Sequence, residues 1–464
     1  MFGLMRQHGA KCSWRLTVLV SMLMGCLIAF AAAPVPNTIS WDKNRKLMSA
    51  EIKGMGLSNF LGRLTARTGW QIYVEPDTTA TISAKFHDLP VGEALSRLLG
   101  RLSFALVPQT NAPAKLFVFR TSVGEATQLV KADRPMSLIP NELIVRLKPG
   151  QSIEELAGSL GARVTGRSTN MNSFRLKFET DSAAEYAKEK LGANDAVALV
   201  DYNYMLERPD EMGMLLASSR AALNLRAQPV GDGNPVIVGL IDTAVPPIGN
   251  HYDQFLLEGL SVAGESPGGG VEPTHGQSMA ETILNAIAKT LADNPSTSVR
   301  ILPVDVYGPN DNTTTWEVAQ GIQRAINEHK ANIINLSLGG DGDSPFLRDI
   351  IEQASRQGVL IFAAPGNQPT TAPTYPAAYP EVVAITAGDP QGNVASYANR
   401  GDFIDGVGPG NAIISYNGQS FLISGTSVST AYAAGVAAAL AERSGKSKDE
   451  ILALLRQIFP PPKK

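Results

Sequence analysis

From residue 236 onward, uninterrupted apolar runs alternate with amphipathic stretches: VIVGLID, ILPVDVYG, NIINLSLGG, VLIFAAPGN and VVAITAGD are each separated by a segment of helical apolar spacing. A strand that is apolar on both faces must be covered on both faces, and the intervening segments are long enough for the crossovers that parallel pairing needs. The pattern predicts an α/β domain over 230–460, a parallel sheet with helices on both sides. Helices are expected at 275–293, 315–330, 345–357 and 448–459.

Two smaller α+β units precede it. Over 37–122, Leu57, Phe60, Leu61 and Leu64 recur at helical spacing before Gly69 and an extended run at 70–74; Ala94, Leu95, Leu98, Leu99 and Leu102 do the same before a second run at 104–107. Pro90 stands where the second helix begins. Residues 123–138 lack periodicity and read as a linker. Over 139–207 a strand at 142–147 is followed by a helix, with Ser152 and Glu155 as its capping box. Phe174, Leu176 and Phe178 then alternate as a strand, and a helix at 183–191 precedes a last strand at 197–205. The order is βαββαβ. Residues 208–229 again read as a linker.

Arg6, Lys11 and Arg15 precede an uncharged stretch over 16–33 with small residues at its end, the layout of an export signal. Cleavage after Ala31, in Ala29-Phe30-Ala31, is one outcome. The stretch is also long enough to remain as an anchor with its basic end in the cytoplasm, and LMGC at 23–26 has the form of a lipoprotein box. Cys12 and Cys26 are the only cysteines, so the body of the protein has no disulfide, thiolate nucleophile or cysteine-bound metal. The net charge of −3 is too near balance for the broad positive field of a nucleic-acid binder, and nucleic acid is not an expected partner.

In an open parallel sheet the chemistry gathers at the carboxyl ends of the strands. Asp242 ends the first run, a place where a helix cap or turn residue is also common. His275 opens a helix after a glycine-rich loop. Of the five histidines, His8 and His87 lie elsewhere, His251 has no surrounding motif, and His329 sits on a polar helix end. Ser427 precedes the small-residue helix AYAAGVAAALAER, where the positive end of the helix favours a developing alkoxide or oxyanion; alone, it would read as an N-cap.

The order Asp242, His275, Ser427, with IDTAV, HGQSMA, NLSLGG at 335–340, APGN at 364–367, YPAAYPEVVAITAGD at 375–389 and GTSVST, resembles the subtilase family of subtilisin-like serine proteases. The resemblance implies an endopeptidase in which Ser427 is the nucleophile, His275 the general base and Asp242 its orienting partner. It implies an oxyanion hole from the Asn367 side chain and the Ser427 N–H, and a peptide-binding edge at Ser337, Leu338 and Gly339 with Ala364 and Gly366 opposite. Glu281, Pro365, Ser429 and Ala431 depart from the family's usual residues, which bears on subsite shape and efficiency; Ser429 is a rival nucleophile. No cofactor is implied. Asn310, Asp311 and Asn312 read as a calcium site or as a plain turn.

With NELIVRLKPG and VALVDYNYMLERP at its ends, the 139–207 unit resembles the inhibitory propeptide of subtilases, which implies a zymogen cut within 208–229. The run KFHDLPVGEALSRLLGRLSFALV makes 37–122 similar to the short N-terminal domain of secretins and TonB-dependent receptors; that implies a periplasmic location and an envelope or secretion-system partner. Besides a polypeptide substrate and its own propeptide, such a partner is the third expected. The alternative function is a subtilase-like peptide-binding scaffold docked to an envelope assembly through that first unit.

Overall fold

The computed structural model describes residues 38–42, 45–109, 113–130, 137–208, 214–217, 224–229, 235–247, 251–266, 270 and 272–463. The export segment at 1–33 and much of the 208–229 linker lie outside the described residues. The chain divides into two compact units, Met1–Asp133 and Arg134–Lys464.

In the first unit, β1 (Thr38–Asp42), β2 (Leu47–Gly56) and β4 (Thr81–Pro90) form an antiparallel sheet. Helix α1 (Leu57–Thr68) and β3 (Gln71–Val74) lie between β2 and β4 in sequence. After β4 come α2 (Val91–Leu99), β5 (Ser103–Val107), β6 (Lys115–Phe119) and β7 (Gln128–Leu129), and the second sheet runs β5-β6-β3-β7. Phe60, Leu61, Leu64, Leu95 and Leu98 pack with Met48, Ile72 and Val118 in one core. Both expected helix–strand pairs are present, with Pro90 as the residue before α2 rather than inside its first turn. The expected linker is partly structured: β7 pairs with β3 and belongs to this unit.

The second unit opens with β8 (Leu138–Leu147), α3 (Ile153–Ser159), β9 (Arg163–Ser168), β10 (Ser173–Lys177), α4 (Asp181–Gly192) and β11 (Val197–Leu206). Ser152 caps α3 with Glu154, accepting from its N–H at 3.3 Å, one residue earlier than the expected Glu155. Short strands β12 (Leu215–Leu216) and β13 (Arg226–Ala227) lead to β14 (Ile237–Asp242), β15 (Leu260–Ser261), α5 (His275–Thr290), β16 (Ser296–Thr297), β17 (Arg300–Asp305), β18 (Thr313–Thr314), α6 (Thr315–Asn327), β19 (Ile333–Leu336), α7 (Pro345–Arg356), β20 (Leu360–Ala363), β21 (Val382–Gly388) and β22 (Gly406–Pro409). A hairpin of β23 (Asn411–Tyr416) and β24 (Gln419–Ser424) runs into α8 (Thr426–Ser444), and α9 (Lys448–Ile458) ends the fold.

The main sheet is wholly parallel, in the order β15-β17-β14-β19-β20-β21-β22. Alternate residues of β14 serve opposite cores: Val238 and Leu240 pack with α5 and α8, whereas Ile237 and Ile241 pack with α6 and α7. The chain continues from β14 to β17 on one side and then returns to β19 on the other. The carboxyl end of β14 is therefore a switch point of the sheet, and Asp242 stands on it.

The segments expected at 139–207 and 230–460 both lie within one compact unit. Apolar and polar contacts both join them: Ile144, Met171 and Leu206 pack in one core with Ile237, Trp316 and Phe346. Strand β18 extends the sheet β11-β8-β10-β9 by pairing with the end of β11. Asn203 Oδ1 accepts from Thr315 Oγ1 at 3.0 Å and from Trp316 N at 3.2 Å, so a β11 side chain serves the first turn of α6.

Candidate active site

Helix α5 is fastened to the loop after β14 by its first turn. Thr274 and Gln277 make a capping box: Thr274 Oγ1 accepts from Gln277 N at 3.1 Å and Gln277 Oε1 accepts from Thr274 N at 2.8 Å. Thr274 Oγ1 also donates to Ala244 O at 2.7 Å, Gln277 Nε2 donates to Pro246 O at 2.9 Å, and Gly276 N donates to Thr243 Oγ1 at 2.8 Å. A Cβ on Gly276 would stand 2.3 Å from Thr243 O, so only glycine lets the helix start this close to the strand end. That closeness joins the first residue of the helix to the last residue of the strand. His275 Nδ1 lies 2.8 and 2.9 Å from the two oxygens of Asp242, with both side chains buried.

Helix α8 reaches the same rim from its own N-terminus. It crosses α5 at Gly435, where a Cβ would stand 2.4 Å from Ile283 O, so the backbones touch. In register, Ile241 of β14 lies opposite Leu336 of β19, and Leu336 opposite Ala363 of β20. Asp242, Ser337 and Ala364 therefore follow one another along the rim. Ser337 Oγ donates to Ser427 O at 3.4 Å, and Asn367 Oδ1 accepts from Thr426 N at 2.9 Å. The other end of that carboxamide, Nδ2, stands 3.1 Å from where a Cβ on Gly425 would be. Ser427 is buried, and its Oγ has no hydrogen-bond partner.

The structure thus joins Asp242 and His275 directly, and ties Ser427 and Asn367 to the same strand ends through Ser337 and Thr426. A buried carboxylate on Nδ1 fixes the imidazole with Nε2 as its other ring nitrogen and stabilises the imidazolium. Of the expected peptide-binding residues, Gly339 has its main chain in use as an edge, because its N and O exchange 2.9 Å bonds with Glu207 O and N. Leu338 is in the core, and the Ala364 and Gly366 amides bond internally to Leu336 O at 3.0 Å and Thr426 Oγ1 at 3.2 Å. Ser429, the rival nucleophile, is buried with its Oγ 3.1 Å from Pro409 O.

An open cleft of about 560 Å³ borders His275 and is lined also by Glu207, Arg208, Met214, Tyr307 and Asn310. Asp311 and Asn312 lie on its wall. Among the described residues no three His, Cys, Asp or Glu side chains are grouped to hold a metal ion.

Glu281 is one feature whose role the sequence did not reveal. Buried on α5, it accepts from Tyr252 Oη at 2.9 Å and from Ser415 N at 2.8 Å, linking the helix of His275 to the hairpin that leads to Ser427. Burial pushes its carboxyl up to about 7, against the pull of those two donors. The capping box at α5 was also overlooked, although Thr274 followed three residues later by Gln277 is its sequence signal.

Residues 233–457 match the subtilase family, and residues 124–203 match the fervidolysin N-terminal prodomain. Thermitase of Thermoactinomyces vulgaris is 32% identical over 240 residues, which cover 50% of this chain and 83% of that protein. A thermostable alkaline protease of Halalkalibacterium halodurans is 35% identical over 215 residues, 46% of this chain and 58% of the relative. M-protease of Shouchella clausii is 33% identical, covering 46% and 55% respectively, so the chain spans little more than half the length of these last two relatives. The crystal structure of fervidolysin from Fervidobacterium pennivorans superposes with a TM-score of 0.55 at 19% identity, over 68% of this chain and 57% of that one, a likeness of fold. Neither family match reaches residues 37–122.

Proposed function

We propose that this chain, which belongs to the subtilase family, is an exported serine endopeptidase made as a precursor and held closed by its own residues 138–207. One observation carries the proteolytic reading: His275 Nδ1 is held by both oxygens of buried Asp242 on the strand-end rim that also bears Ser427. In the proposed mechanism Ser427 Oγ attacks the scissile carbonyl while His275 Nε2 takes its proton. Asp242 holds the imidazole in place and stabilises the imidazolium. Asn367 Nδ2 and the Ser427 N–H, at the positive end of α8, stabilise the tetrahedral oxyanion. His275 then returns the proton to the leaving amine, and water repeats the sequence on the acyl-enzyme. Hydrogen bonds between nucleophile and base commonly tighten only on substrate binding, which accommodates a Ser427 Oγ that makes none here.

The zymogen reading is supported by the match of 124–203 to a prodomain and by where β11 ends. Glu207 lies antiparallel on Gly339, the edge expected to receive substrate. A chain seated there keeps other peptides out. Export, to the periplasm, to an anchored position facing it, or onward into the medium, is supported by the basic and apolar pattern of 1–33. For 37–122, the sequence likeness to the secretin and TonB short domain supports a partner-binding role toward an envelope or secretion-system protein. A peptide-binding scaffold would use the Gly339 edge but has no need of a buried carboxylate on an imidazole. Hydrolysis of unfolded casein by the processed protein, abolished in Ser427→Ala, tests the proteolytic reading. Equal hydrolysis by that variant would end it.

A further inference from the structure

We propose that Asn399 is a positioning residue for the oxyanion hole: it clamps the turn Pro365-Gly366 and so sets where Asn367 presents its side-chain N–H. This rests on the peptidase reading and deepens it by a residue that lies outside every motif carrying the family resemblance.

The turn follows the end of β20 and is held from outside. Ala364 N donates to Leu336 O at 3.0 Å, and Pro365 then has no N–H to donate. Gly366 N donates to Thr426 Oγ1 at 3.2 Å, and Thr374 Oγ1 donates to Pro365 O at 2.7 Å. Asn399 takes both carbonyls: its Nδ2 donates to Pro365 O at 2.5 Å and its main-chain N to Gly366 O at 3.0 Å. The carboxamide lies against Gly366, where a Cβ would stand 2.8 Å from Nδ2. Gly366 also has a φ of +111°, a conformation that favours glycine. The two residues before Asn367 are thus fixed by one side chain and one amide of Asn399.

Asn399 is itself anchored. It is 2% exposed, and its carbonyl accepts from Thr386 Oγ1 at 2.7 Å, on β21, the strand beside β20. Its Oδ1 is buried with no hydrogen-bond partner among the described residues. Leucine, of similar size, would fill this space without leaving an acceptor unpaired, so packing does not account for an asparagine here. The bond from Nδ2 to Pro365 O does, and a shift of that turn would carry Asn367 away from the oxyanion.

The test is a double-mutant cycle on the processed enzyme with a peptide anilide. Asn399→Ala should lower kcat by about 10- to 100-fold with KM nearly unchanged, because a misplacement of about 1 Å costs up to about a hundredfold. In the Asn367→Ala background the same substitution should lower kcat by less than about twofold, since the donor it positions is already gone. Equal losses in the two backgrounds would make Asn399 a general structural residue and overturn the proposal, as would an unchanged kcat in the parent. Asn399→Asp keeps the volume and decides the matter if the alanine variant does not fold. A protonated carboxyl can donate to Pro365 O, whereas an ionised one sets an oxygen against it. Its kcat relative to the parent's should therefore fall by about tenfold as pH rises from roughly 5 to roughly 10, a span that covers a buried carboxyl, and a flat ratio overturns the proposal. Fluorophosphonate labelling keeps the two readings apart. A parent that labels at Ser427 but shows no coupling between Asn399 and Asn367 overturns this inference alone; a folded parent that does not label overturns the peptidase reading beneath it.

Discussion

Asp201 of β11 accepts from Ser344 Oγ at 2.6 Å, and its same oxygen accepts from Phe346 N at 3.1 Å, so a side chain of the segment matched to a prodomain completes the N-terminus of α7. With Asn203 at α6, two adjacent helices of the segment matched to the subtilase family take hydrogen-bond partners from one strand. These contacts explain how β11 is held firmly enough to place Glu207 on Gly339.

We therefore predict that Asp201→Ala weakens the hold of residues 138–207 on the processed enzyme by about 5- to 30-fold, the equivalent of about 1–2 kcal/mol for a lost cap. The inhibition constant of the separated segment measures this, and the activity of the freed enzyme should not change. An unchanged inhibition constant would mean that the capping contact adds nothing to closure.

Glu281 makes stability depend on pH. Its carboxyl titrates near 7 in the folded protein because of burial, against an ordinary value of 4.5. The unfolded chain releases this proton first, so the contribution is fully present below pH 4.5 and is lost as pH rises to about 7. The loss amounts to about 2–3 kcal/mol at the upper end. Glu281→Gln cannot ionise and keeps an oxygen for Tyr252 and Ser415. Its stability relative to the parent should rise across that window in chemical denaturation; a pH-independent difference would show that Glu281 does not titrate there.

Gly276→Ala forces a Cβ to within 2.3 Å of Thr243 O, a backbone atom with little room to yield. Helix α5 must move away from β14, carrying His275 from Asp242. The expected result is a loss of stability of about 1–3 kcal/mol and a fall in kcat of at least about a hundredfold, since a displacement of about 1 Å has that effect. Steady-state kinetics on folded variant protein would decide it.

Asn367→Ala removes the carboxamide held by Thr426 N and, with it, the expected donor to the oxyanion. We predict a loss in kcat of about 100- to 1000-fold with KM nearly unchanged. A loss confined to KM would instead make Asn367 a ground-state binding residue.

The parallel sheet was legible because strands such as β14, buried at every position, leave no alternation to misread. The order Asp242, His275, Ser427 was legible as a family resemblance, and the geometry adds what sequence does not carry: direct contact between the first two. Strands β1, β2 and β4 escaped notice because half-buried strands with interruptions, such as the Gly54 turn in β2, blur a period of two. Asp201 and Ser344 lie 143 residues apart, and an acid inside a strand looks like any solvated residue until its partner helix is placed. Glu281 read only as a departure from the family's usual residue because its two partners, Tyr252 and Ser415, come from distant segments.

In the proposed mechanism the Asp242–His275 pair makes Ser427 nucleophilic. Mass spectrometry of the processed protein after treatment with a fluorophosphonate tests it most directly. A single adduct on Ser427 is expected, formed at least about a hundredfold more slowly in His275→Ala. Folded, processed protein that forms no adduct at Ser427, or forms it equally fast without the imidazole, would contradict it.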